Sequence, residues 1–342
     1  MGRETNQVLM TVEAFKDRVQ KMPINSEAKE VSREEFTLLL SGIATCRKIP
    51  GISRHMGYEA LYHCEEQSDR GAVSEFLESM YGITDKTSLL ATCHKEYNVS
   101  GQYEQFMTFW HKVPLFELSE LNERGRVWFE RCQMAAGLFY PLLKEKGFYA
   151  WDINERIGFC RVAVAGGLLT EEEFWQVTDS WVRQALVFYN SYGEYAVSCL
   201  CGALYYMGRY EADIESFLEI NLNMIEHLLE EGGAWQRNVW YKPEEREWAS
   251  LVADNRGCLV TKKALNEEKI GYMYREEPNE EHLDSGWRFF VGDEEDDYIS
   301  DPANITVCSL NTICNLNPEV MAYMHVEEGR RFGRYEEGWR EE

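Results

Sequence analysis

From Thr11 to about Glu231 the apolar positions of this chain recur every three to four residues, the spacing that places side chains on one face of an α-helix. Ser32 and Glu35 form a capping box, in which each side chain satisfies the other's orphan amide, and Phe36, Leu39, Leu40 and Ile43 follow at helical spacing. A second box, Thr170 with Glu173, opens a helix whose stripe is Phe174, Val177, Trp181, Ala185 and Phe188. A third stripe, Ile214, Leu218, Leu222, Ile225 and Leu229, ends at Gly232-Gly233, where the missing Cβ lets the chain leave the helix. Few segments here alternate with period two, so the expectation is a helical domain over 1–232.

After Asp254 the pattern changes. Gly257–Thr261, Ile270–Tyr274, Trp287–Val291 and Ile305–Ser309 are short β-prone runs bounded by Gly, Pro, Asn and Asp, with room for a short helix or turn between Thr312 and Met321. The fold class expected is therefore a mainly α N-terminal domain followed by a small α+β domain, over 254–342, with a short and mostly antiparallel sheet. Between them, 233–253 holds Trp235, Trp240 and Trp248, which a flexible linker would not carry; they are expected to pack the two domains together across an ordered join.

Charge narrows the partner classes. The 342 residues carry a formal net charge of −24, and residues 254–342 hold 21 acidic against 10 basic side chains, so the acidity is concentrated in the C-terminal part. Such a field repels phosphate backbones and anionic membrane surfaces, and favours basic partners or plain solubility. The stretch Met1–Met10 has no basic start or apolar core of a secretory signal, and no run approaches the roughly 18 apolar residues of a membrane span. Ten scattered Cys are expected as reduced thiols in a cytoplasm. These features predict neither a nucleic-acid binder nor a membrane protein.

Candidate chemistry is sparse. The run Asp293-Glu294-Glu295-Asp296-Asp297 lacks the alternate acids, sixth-position Gly and twelfth-position Glu of a calcium loop, so it reads as a partner-binding face or a solvated loop rather than a metal site. Cys199-Leu-Cys201, His63-Cys64 and Cys93-His94 do not have the paired spacing of structural zinc and read as core thiols. No nucleophile elbow, phosphate-cradling loop or zinc-protease motif occurs, and no cofactor is expected. Asp152 and Arg156, one helical turn apart after Trp151, read as an i,i+4 ion pair at a helix start. A hydrolase built on carboxylate pairs stays open, because spatial pairing is not visible in sequence.

Two resemblances add to this. Ala150-Trp151-Asp152, Arg161, Gly166–Leu169 leading into Thr170–Trp175, and Ser191–Tyr195 with Gly202 resemble the signature of the bacterial family called domain of unknown function 1266, over about 100–215. This chain departs from it where an arginine is expected four residues after the Trp: Glu155 stands there, with Arg156 one place late. Cys258–Thr261, Gly271–Glu276, Asp284–Phe289 and Gly292–Glu294 resemble the domain of unknown function 2185 family, classed with the predicted immunity proteins of polymorphic toxin systems as immunity family 33. That resemblance implies a non-enzymatic, cytoplasmic bacterial protein that binds and neutralises a toxin domain. An acidic chain would be steered towards a basic toxin. The expected contact residues are Asp284, Trp287, Asp293, Glu294, Glu295, Asp296 and Asp297, an aromatic anchor beside a ring of acids. The rivals are an enzyme of uncharacterised class with a carboxylate-based site in the helical domain, and a housekeeping scaffold. For Asp284-Ser285-Gly286-Trp287 the competing reading is a turn, with Gly286 at positive φ and Trp287 anchoring the next strand.

Overall fold

The structure, a computed structural model, describes residues 3–21, 25, 27–47, 49–50, 52, 57–94, 119, 121–144, 147–207, 213–254, 256–279, 283–336 and 338–342. Residues 95–118, which fall partly within the first resembling stretch, lie outside the described residues. The chain divides into two compact units: residues up to Leu143 with Gly147–Glu245, and Arg246–Glu342 with Lys144. The division falls inside the stretch 233–253.

The first unit is helical. Its helices are α1 (Arg3–Lys21), α2 (Arg33–Leu40), α3 (Gly42–Cys46), α4 (Gln67–Tyr81), α5 (Lys86–Cys93), α6 (Glu123–Leu143), α7 (Tyr149–Gly166), α8 (Glu171–Phe188), α9 (Tyr192–Gly202) and α10 (Ile214–Leu229). Both capping boxes form: Ser32 Oγ accepts from Glu35 N at 3.1 Å, and Thr170 Oγ1 accepts from Glu173 N at 3.2 Å. The α8 stripe is shifted by one position, because Thr178 rather than Val177 is fully buried; its hydroxyl reaches the Phe174 carbonyl at 2.8 Å and so needs no solvent. Helix α10 ends at Leu229, ahead of Gly232, whose φ of +79° places it in the left-handed region.

Helix α7 is the centre of this unit, packed by α2, α3, α4, α8 and α9. It is buried over Tyr149–Asn154 and again over Ile157–Ala165, with only Glu155 and Arg156 interrupting. A helix buried nearly all round belongs in a core rather than on a surface. The Asn154 Oδ1 accepts from Ala44 N at 3.1 Å, which ties α7 to α3. Small residues let its neighbours approach: a Cβ on Gly158 would lie 2.4 Å from the Ala44 Cβ, and one on Gly202 would lie 2.2 Å from the Trp151 Cβ. Trp235 and Trp240 complete the same core. The Trp235 indole donates to Leu39 O at 2.8 Å and stacks on Tyr192, while Trp240 meets Phe36 edge-on. Trp248, in the second unit, is exposed, with Arg246 over its ring. Two of the three join tryptophans are thus committed to the helical core itself.

The second unit is a six-stranded sheet in the order β4-β1-β3-β2-β5-β6, with strands β1 (Gly257–Thr261), β2 (Tyr272–Arg275), β3 (Asp284–Phe290), β4 (Ile305–Ser309), β5 (Arg331–Tyr335) and β6 (Gly338–Glu341). The β1–β3 pair is parallel and the other pairs are antiparallel. Short helices α11 (Lys262–Glu267), α12 (Asp296–Ser300) and α13 (Leu310–Leu316) connect or cover the strands. The expected fold class is what the structure has: a helical region, then a small α+β unit with a mostly antiparallel sheet.

Candidate functional site

The structure sorts the seven contact residues expected in the second unit into two groups. Trp287 is 1% exposed and stacks on Phe289 in the sheet core, so it is no surface anchor. The segment around it is a bulge inside β3 rather than a turn before it. Gly257 pairs with Asp284 while Leu259 pairs with Arg288, so β3 carries two extra residues there. Gly286 does adopt positive φ, at +80°, and a Cβ on it would lie 2.2 Å from the Glu276 carbonyl oxygen. Ser285 Oγ donates to Gly257 O at 2.8 Å and holds the bulge against β1.

Asp284 is likewise committed. Its carboxylate accepts two hydrogen bonds from Arg288, at 2.9 and 2.8 Å, and that guanidinium is the main reason its pKa lies well below the usual carboxylate range. Glu294 is a turn clamp. Burial works to raise its pKa, but the Thr261 hydroxyl at 2.6 Å and the amides of Val291 and Gly292, each at 2.8 Å, prevail and lower it. Both carboxylates are spent on holding the fold. Asp293 pairs with Lys263 at 2.8 Å and remains exposed; Glu295, Asp296 and Asp297 lie at the start of α12. These four acids are the part of the expected face that reaches the surface.

That acidic turn leads through Pro302–Asn304 into β4, an edge of the sheet. Val307 on this edge is 68% exposed, and Leu283, just before β3, is 83% exposed. Both border Gly257: a Cβ there would meet the Val307 Cγ1 at 3.1 Å and the Leu283 carbonyl at 3.2 Å. Among the described residues β4 pairs on one side only, and a strand edge carrying an exposed apolar side chain such as Val307 is a template for another chain. The sequence does not reveal these two exposures, because single exposed apolar residues look like core residues until their neighbours are known.

In the first unit, most of the signature residues have structural tasks. Arg161 is buried at 1% exposure and donates to Thr45 Oγ1 at 2.8 Å, Ser41 Oγ at 3.1 Å and Gly57 O at 2.7 Å. Burial pushes its pKa down to about 10. Ser191 caps α9 by accepting from Glu194 N at 3.2 Å, and the Tyr195 hydroxyl donates to Leu40 O at 2.8 Å. The Tyr189 hydroxyl accepts from Ala150 N at 2.9 Å, which satisfies an orphan amide at the start of α7.

Asp152, Glu155 and Arg156 are different, because they line a cavity of about 610 Å³. Glu155, at the position where the family signature expects an arginine, forms a bidentate pair with Arg47 at 2.6 and 2.7 Å and accepts from the Tyr81 hydroxyl at 3.2 Å. Arg156 donates to Cys93 O at 3.0 Å and lies over the Trp181 ring. The expected Asp152–Arg156 ion pair does not form, and among the described residues the Asp152 Oδ2 is buried without a hydrogen-bond partner. The helix turns these side chains to different neighbours, so spacing alone does not pair them. Burial pushes the Asp152 carboxyl up to about 7, opposed by Arg156 and reinforced by Glu155. The rest of the lining is mainly apolar, including Phe159, Phe217, Ile220 and Met224.

The other soft-ligand clusters of the sequence are dispersed. Cys199 and Cys201 are buried in α9, and burial raises both thiols. His63 faces Glu171 at 2.8 Å, and Cys93 lies beside Cys160 with 3.6 Å between sulfurs.

Comparison with known proteins matches residues 258–342 to the immunity protein Imm33 domain, and residues 76–240 to a protein of unknown function, the DUF1266 family. No curated protein and no solved structure matches the chain. The match to the immunity protein domain lies within the second unit, and the signature residues of the helical unit fall within the second match.

Proposed function

We propose that this chain is an immunity-type protein that acts in the cytoplasm by binding a toxin domain and blocking it, without catalysis of its own. The observation that carries the reading is the immunity-domain match over 258–342, which spans all six strands of the sheet but for Gly257. The geometry supports a particular surface for that role. The β4 edge, with the exposed Val307, offers contact area, and Asp293, Glu295, Asp296 and Asp297 supply a negative field beside the entry to that edge. Buried apolar anchors give residence time, whereas rim charges act mostly on the association rate. Trp287, Asp284 and Glu294 serve the same surface indirectly, by holding the β3 bulge and the turn before α12 in shape.

The test uses the toxin domain encoded beside the gene. Lysine substitution of Asp293, Glu295, Asp296 and Asp297 should slow association about tenfold or more at low salt. A separate Val307→Arg change should speed dissociation. Glu294 is left intact so that the turn survives. If both variants fold, bind and protect cells as the parent does, this surface is not the interface; if no neighbouring toxin domain binds the parent, the immunity reading fails.

A further inference from the structure

The helical unit holds a feature that toxin binding by the sheet does not use. The cavity between α3, α4, α7 and α10 has a volume of about 610 Å³, within the range of roughly 300–1,000 Å³ typical of small-molecule sites. Its lining includes Asp152, more than nine-tenths buried, whose Oδ2 has no hydrogen-bond donor among the described residues. Buried carboxylate oxygens are rarely left so, because desolvation without a partner is costly. Beside α9 the wall continues into a π-helical turn, Ala203–Met207, which contributes Tyr206. Such turns are frequent at functional sites.

We infer that this cavity binds a small organic amine, its apolar body against Phe159, Phe217 and Met224 and its ammonium donating to the Asp152 carboxylate. The neighbouring charges favour a donor over an anion. Arg47 is spent on Glu155 in a two-bond pair, and Arg156 donates to the Cys93 carbonyl and lies over Trp181. Asp152 is the lining carboxylate with acceptor capacity in hand. Aromatic faces in the lining also attract cations, and the chain's net charge of −24 draws them towards it. Because burial holds the Asp152 carboxyl near neutral pH, an arriving cation displaces its proton. The other ionisable groups in the lining are Glu155, Arg156, Arg47, Tyr81 and Tyr206, of which the first four hold protein partners through at least one polar atom.

The probes are 2-phenylethylamine and its matched alcohol and acid, 2-phenylethanol and phenylacetate, titrated against the full chain by ligand-observed NMR. The amine should bind saturably and more tightly than either analogue by about tenfold, the scale of one charge-assisted hydrogen bond. Its affinity should rise about tenfold from pH 6 to pH 8 as the carboxylate ionises. Asp152→Asn should abolish that preference. Ile220→Trp, at the exposed rim, should weaken all three probes while the fold is retained by circular dichroism. Equal binding of the acid, an unaffected Asp152→Asn variant, or no saturable amine binding to the parent overturns the assignment.

Discussion

Replacing Asp152 by Asn should make the helical unit progressively more stable, relative to the parent, as the pH is raised. The Asp152 carboxyl is pushed up from 3.8 to about 7 by burial. Below pH 3.8 both the folded and the unfolded chain hold the proton, and burial carries no ionic penalty. Between 3.8 and 7 the unfolded chain has released it while the folded chain keeps it, so stability falls as the pH rises. Above 7 the penalty is complete. About three pKa units at ~1.4 kcal/mol each give a ceiling of ~4 kcal/mol. Roughly half of that, ~2 kcal/mol, lies above pH 5.5, which keeps the measurement clear of the isoelectric point near 4.8. Asn cannot titrate, and Glu155, Arg156, Arg47, Tyr81 and Cys199 remain in both proteins, so their own contributions largely cancel. Urea unfolding of both proteins at pH 5.5 and 8.5, followed by tryptophan fluorescence, reads the change in their difference. A constant offset from burying the amide is removed by comparing the two pH values. A difference that stays within ~0.5 kcal/mol would show that Asp152 ionises in the fold at its ordinary pKa.

Two further outcomes test the packing. Gly202→Ala should destabilise the helical unit by about 1–3 kcal/mol, since its methyl would overlap the Trp151 Cβ and α9 would have to move off α7; unchanged urea midpoints would refute that contact. Trp287→Ala should cost about 3–5 kcal/mol by opening a cavity behind the sheet, read as loss of cooperative unfolding of the second unit, whereas a surface anchor would leave stability untouched.

Local chemistry makes much of this protein legible in its sequence. The capping boxes at Ser32 and Thr170 and the strands Gly257–Thr261 and Ile305–Ser309 follow from interactions within a few residues, and they stand where the pattern puts them. Strands β5 and β6 escape that pattern because Arg331–Tyr335 and Gly338–Glu341 carry charges that suit the solvent side of a sheet margin but hide the strand period. Tertiary structure alone decides which candidate residues are available. Trp287 goes to the core and Glu294 to a turn, because the sheet needs a filled face and two satisfied amides. It also gathers Arg47 from the end of α3, Tyr81 from α4, Asp152 from α7 and Phe217 from α10 around one cavity. Residues so far apart in the chain share no spacing rule, and the desolvation that gives Asp152 its character exists only once those helices have closed around it.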